Sequence, residues 1–165
     1  ARVRAREEEM ARSAGARDVA RTSAERAVLV GLDVGGDGDA DARLAELGEL
    51  VRSAGATVAA ARMQTRASPD PKTLIGRGKL RDLVSLAYHE DADLLVFDRE
   101  LDPAQAREIE AATQLKVLDR TQVILDIFAS RARTHQAKLQ VMLAQAQYEL
   151  PRLRRRGVVL VLCQK

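Results

Sequence analysis

Aromatic residues are scarce in this chain. Only Tyr88, Phe97, Phe128 and Tyr148 occur among 165 residues, and there is no tryptophan. This excludes single-strand RNA modules that stack bases on aromatic platforms, and aromatic-lined carbohydrate clefts. The core must be made of Leu, Val, Ile and Ala. Cysteine occurs once, at Cys163, which excludes an internal disulfide framework and a Cys-rich zinc site. His89 and His135 lie far apart with no ligand spacing around them. The longest apolar run, residues 158–163, is far too short to span a bilayer. The charged N-terminus, with Arg2, Arg4, Arg6, Glu7, Glu8 and Glu9, lacks the apolar stretch of a signal peptide. These absences imply a soluble, cytoplasmic setting and no membrane partner. A first residue of Ala rather than Met suggests a processed product or a fragment.

What is present is the composition of a folded domain: 46% apolar and 31% charged residues. The net charge of +3 is unevenly spread. Residues 131–156 hold seven basic side chains against the single acid Glu149, whereas residues 1–130 sum to −4. A basic end of this kind meets phosphate or an acidic partner, or forms a solvated helix face.

Residues 1–25 mix Arg, Glu, Ala and Ser without an apolar stripe and read as a mobile arm. Residues 27–33 read as a buried strand, 35–39 as a loop, and a helix starts at Asp41 and ends near Gly55. A second strand covers residues 57–63, and Ser68-Pro69-Asp70-Pro71 is a rigid turn. The next helix would bury Leu80, Leu83, Val84 and Ala87. Residues 94–98 form the strongest strand, Asp102-Pro103 opens another helix, and residues 116–118 form a short fourth strand. Alternation at this spacing predicts a small parallel sheet with helices on both faces and right-handed crossovers. Asp119 and Gln122 then form a capping box, and no Gly or Pro follows until Pro151. One helix from Thr121 to Leu150, about 45 Å long, is expected. Its stripe of Leu139, Met142, Leu143, Ala146 and Leu150 overruns the sheet and needs a partner.

No motif supports nucleotide hydrolysis. Gly76-Arg77-Gly78-Lys79 lacks the upstream glycine of a P-loop and is followed by Leu80 rather than Ser or Thr. Arg77, Gly78 and Lys79 could hold an anion at a helix N-terminus, or simply form a tight turn. The glycine-rich stretch from Gly31 to Gly38 does not match a dinucleotide fingerprint, and Asp33, Asp37, Asp39 and Asp41 would repel phosphate. These acids read as a solvated loop rather than a cation site. No catalytic set can be assembled, so catalytic residues, metal and cofactor are all expected to be absent from this chain.

Three blocks in order resemble the N-terminal region of the HflX family of ribosome-associated GTPases. They are residues 68–80 (SPDPKTLIGRGKL), residues 119–129 (DRTQVILDIFA), and residues 137–153, from AKLQV to LPRL. The shorter segments Ser53-Ala54-Gly55-Ala56 and Asp98-Arg99-Glu100-Leu101 also fit, so the resemblance spans roughly residues 26–156. It implies an α/β domain at 26–118, then residues 119–156 as the first, basic arm of a long helical hairpin. It also implies a GTP- and Mg²⁺-dependent GTPase domain that follows in the family. The implied partner is the large ribosomal subunit and its RNA, in ribosome splitting or rescue.

Arg152, Arg154, Arg155 and Arg156 would then lie near the hairpin tip, beyond a helix-stopping Pro151. With Lys138 and Arg133 they are the expected RNA contacts, since the arginine fork donates two parallel hydrogen bonds to phosphate. Residues 157–165 depart from the family as an apolar tail and suggest a truncated, frame-shifted or excised product. Two alternatives remain: a fragment that dimerises through its long helix, and a small nucleotide-binding α/β domain using the loops at 31–38 and 76–79.

Overall fold

The structure, a computed structural model, describes residues 24–36 and 38–153. The arm at 1–23, Asp37, and residues 154–165 lie outside the described residues. Four strands, β1 (Arg26–Val34), β2 (Thr57–Arg66), β3 (Leu94–Phe97) and β4 (Lys116–Asp119), form one sheet in the order β2-β1-β3-β4. Every pairing is parallel, with Val28 opposite Leu95, and Leu95 opposite Val117. Among the described residues, five helices follow in chain order: α1 (Ala40–Ser53), α2 (Arg77–His89), α3 (Pro103–Thr113), α4 (Arg120–Arg131) and α5 (His135–Leu153). The expected parallel α/β architecture is therefore present.

The central strands are continuously apolar because both of their faces are covered. Val28, Val30, Leu32, Leu95 and Phe97 pack under Leu80, Leu83 and Ala87 of α2 and Ile109 of α3. The alternate residues Ala27, Leu29, Leu94 and Val96 pack under Leu47 and Val51 of α1 and Val123 and Ile127 of α4. Helix α4 is thus part of the α/β body, and the boundary expected at residue 118 falls inside the packed unit. Val84, expected on the inner face of α2, is only half-buried.

Local chemistry sets the element ends. Gly55 has φ +95, and its N–H and that of Ala56 donate to the carbonyls of Arg52 and Val51, closing α1 in a Schellman motif. Asp102 and Asp119 each cap a helix in a capping box with the glutamine three residues on.

Two expectations at the end of the chain are corrected. The helix from Thr121 to Leu150 is not continuous: it breaks at residues 132–134, where Ala132 is extended with ψ 114. Thr134 then restarts it, its Oγ1 accepting from the N–H of Ala137 at 3.1 Å. Helix α5 folds back along α4, tied by Gln145 Nε2 donating to Asp126 Oδ1 at 3.1 Å. Nor does Pro151 stop the helix, since α5 runs through it to Leu153. Contacts made by the neighbouring Arg152 with the α/β body hold that last turn in place.

Candidate nucleic-acid interface

The reversal between α4 and α5 gathers positive charge. Arg131, Arg133, His135 and Lys138 are all exposed there. No acidic residue occurs between Arg131 and Tyr148. Among the described residues, Arg131, Arg133 and Lys138 form no ion pair within the protein. Arg131 in the last turn of α4 also complements the helix dipole. Unpaired, exposed cations raise the local potential and suit a phosphate backbone. Two expected RNA contacts, Arg133 and Lys138, are thereby brought together.

Arg152 is employed differently. It was expected at an outlying tip, but its end of α5 returns to the C-terminal edge of the sheet. Its side chain is 14% exposed, and Nη2 donates to Asp119 Oδ2 at 2.9 Å and to the Leu101 carbonyl at 2.7 Å. Nη1 donates to the Tyr148 carbonyl, and the guanidinium lies 3.8 Å from the centroid of the Tyr148 ring. The Tyr148 hydroxyl donates to Asp119 Oδ2 at 2.5 Å. Burial, and then the Asp119 carboxylate, raise the Tyr148 phenol above its ordinary value. Asp119 is fully buried and also accepts from the Leu101 N–H. With Nη1 and Nη2 engaged in this network and Nε buried, Arg152 is an internal anchor rather than a free phosphate contact. Arg154, Arg155 and Arg156 lie outside the described residues.

The strand order reverses between β1 and β3, the position where open α/β sheets commonly bind ligands. Here the chain fills that crevice itself. Asp98 accepts from the Leu32 N–H through Oδ1, while Oδ2 faces Arg43 Nε at 3.7 Å. Arg99 Nε donates to the Leu32 carbonyl. Burial raises the Asp98 carboxyl above its ordinary value, against the pull of the Leu32 N–H and Arg43.

The glycines after β1 and before α2 both contact the C-terminal end of β2: Gly35 N–H donates to the Arg66 carbonyl, and Gly76 N–H donates to Gln64 Oε1. A Cβ at Gly76 would stand 2.6 Å from Arg66 Nη1, so the β2 arginine closely approaches this backbone. Arg77 and Gly78 are exposed and Lys79 is half-buried. Among the described residues, no group of three or more His, Cys, Asp or Glu side chains is placed to hold a metal ion. None of the described helices is long and apolar enough to cross a membrane.

Asp70 provides a contrast to Asp98. Its Oδ1 accepts from the N–H groups of Lys72 and Thr73, which lower its carboxyl from the ordinary 3.8. A lowered acid stabilises the fold above its unfolded pKa, and that contribution is lost as pH falls through the folded value. A raised acid does the reverse: its contribution is complete below the unfolded value and is lost as pH rises through the folded one. Asp70→Asn should therefore flatten the acid limb of the stability profile, while Asp98→Asn should gain on the parent as pH rises from about 4. Urea unfolding of both variants between about pH 3 and 7 checks the two opposite signs.

The outer stripe stays uncovered. Leu139, Met142, Leu143 and Leu150 on α5 and Phe128 on α4 are each more than half exposed.

Comparison with known proteins matches this arrangement to one family. The family model described as the GTP-binding GTPase N-terminal region covers residues 41–129, and that for the GTP-binding GTPase middle region covers residues 131–161. The second match includes the first residues of the apolar tail that was expected to stand apart from the family. The GTPase HflX of Lacrimispora saccharolytica is 46% identical over 129 residues, 78% of this chain and 30% of that protein. The GTPase HflX of Escherichia coli K12 is 42% identical over the same shares of the two chains. A crystal structure of a GTP-binding protein from Sulfolobus solfataricus with GDP aligns at TM-score 0.59 and 26% identity, over 78% of this chain and 38% of that one. The chain thus spans about a third of the length of the curated relatives it matches. By these matches and by its fold, the chain belongs to the HflX family and corresponds to that family's N-terminal and middle regions.

Proposed function

We propose that this chain is the ribosome-docking part of an HflX-type GTP-binding protein, contacting RNA of the large subunit through the turn between α4 and α5. The observation that carries this reading is the exposed set Arg131, Arg133, His135 and Lys138, without an acid on the adjoining stretch to Tyr148. Arg154, Arg155 and Arg156 follow the other end of α5 in sequence and would make a contact separate from this turn. GTP and Mg²⁺ belong to chemistry elsewhere in such a protein, because Gly76-Arg77-Gly78-Lys79 is not a P-loop. The chain's own role is binding and orientation in the cytoplasm, in ribosome splitting or rescue.

Co-sedimentation with isolated large subunits at increasing salt tests the reading. Affinity should fall steeply, with a log–log slope set by the number of phosphates contacted. Binding that is indifferent to salt contradicts it. The exposed stripe of Leu139, Met142 and Leu143 supports a second reading, homodimerisation through α5. Light scattering that shows a strict monomer at high concentration contradicts that one.

A further inference from the structure

Helix α5 is held on the body in an unusual way. None of its described side chains is fully buried, whereas α4 places Val123 and Ile127 in the core. Apart from the mid-helix bond of Gln145 to Asp126 on α4, its bonds to the α/β body cluster at its C-terminal end. There Tyr148 and Arg152 reach Asp119, Arg152 reaches the Leu101 carbonyl, and Arg107 Nη1 donates to the Arg152 carbonyl. The other end is the extended turn at residues 132–134. The two oxygens of Asp119 divide their work. Oδ1 accepts the Gln122 N–H and caps α4, while Oδ2 accepts from Leu101 N–H, Tyr148 Oη and Arg152 Nη2.

We propose that Asp119 Oδ2, Tyr148 and Arg152 form a latch, and that opening it releases α5 about the turn at 132–134 while the sheet and α4 stay folded. α4 keeps its own attachments, namely its two core side chains, its cap, and the Arg120–Glu46 ion pair at 2.7 Å. α5 has no comparable second anchor in the core. Leu101 also ties the latch to the β1–β3 crevice, because the Asp98–Leu101 segment carries the contacts to Leu32.

Asp119→Asn separates the two roles. An asparagine oxygen still caps α4, since Asn is as good an N-cap as Asp. Its amide group, however, meets the Arg152 and Leu101 donors where a carboxylate oxygen accepted them. The double variant Tyr148→Phe/Arg152→Met opens the latch from the other side and leaves Asp119 untouched.

Hydrogen exchange on the 165-residue chain reads the result. Amides of α5 should exchange at least on the order of tenfold faster in both variants, with β1, β3 and α4 unchanged. A pair of spin labels at Glu108 on α3 and Gln147 on α5, in a Cys163→Ser background, should change from a narrow to a broad distance distribution. Parental exchange and distances in the double variant overturn the proposal. Equal loss of protection in β1, β3 and α5 also overturns it, because the network would then be a general stabiliser of the fold.

Discussion

Replacing Phe97 by alanine will destabilise the protein by about 3–5 kcal/mol, the largest effect expected of any single core truncation here. Phe97 is the largest fully buried side chain and ends the strand that lies between β1 and β4. Its ring fills the layer between the sheet and α2 and α3, together with Leu32, Leu83 and Ile109. A close-packed interior cannot collapse fully onto the lost volume, so a cavity term adds to the lost transfer energy. Domains of this kind are stable by only about 5–15 kcal/mol, so the variant should sit near the edge of folding. Urea denaturation measures it, with Tyr88→Ala as control. Tyr88 is 91% exposed, and its loss should stay within about 0.5 kcal/mol. A Phe97→Ala midpoint close to the parent's would mean that the sheet does not pack as described.

Asp119→Ala should cost nearly as much, for a different reason. It removes the N-cap of α4, worth about 1 kcal/mol, and leaves the Arg152 guanidinium without its anion. Breaking a buried ion pair from one side typically costs about 3–5 kcal/mol, because the remaining charge is stranded. Asp119 is fully buried, whereas Arg152 is 14% exposed and can reach some water, which places the total toward the lower end. Thermal or urea unfolding measures the loss. Its partner experiment, Asp119→Ala in an Arg152→Met background, should show a clearly smaller loss than the single variant. If the two losses are equal, the pair is not coupled and the buried network does not hold the helix end.

The α/β architecture is readable in the sequence because its signals are local. The apolar runs at Val28–Val30 and Leu94–Phe97, the Asp102-Pro103 start and the Gly55 end each act within a few residues. The break at 132–134 carries no Gly or Pro. Its only local mark is Thr134, a cap residue that also sits inside helices, so the run reads as one helix. Pro151 misleads in the opposite direction, because contacts of Arg152 with Asp119 and Leu101 outweigh its local helix-breaking effect. Those contacts join residues 33 and 51 positions apart, and no spacing rule shows them in advance. For the same reason Arg152 reads as one more member of a basic run. Arg133 and Lys138 are legible as basic residues, but their convergence with Arg131 and His135 depends on the reversal.

The proposed function requires the basic reversal to meet RNA. The direct measurement is the salt dependence of binding to isolated large ribosomal subunits for the parent and for Arg131→Glu/Arg133→Glu/Lys138→Glu. These three side chains are exposed and outside the core, so the variant should unfold like the parent. Each lost phosphate contact should lower the log–log salt slope by about one, so the triple variant should lose about three along with most of its affinity at low salt. A triple variant that binds with the parent's affinity and slope would contradict the interface assigned to this turn.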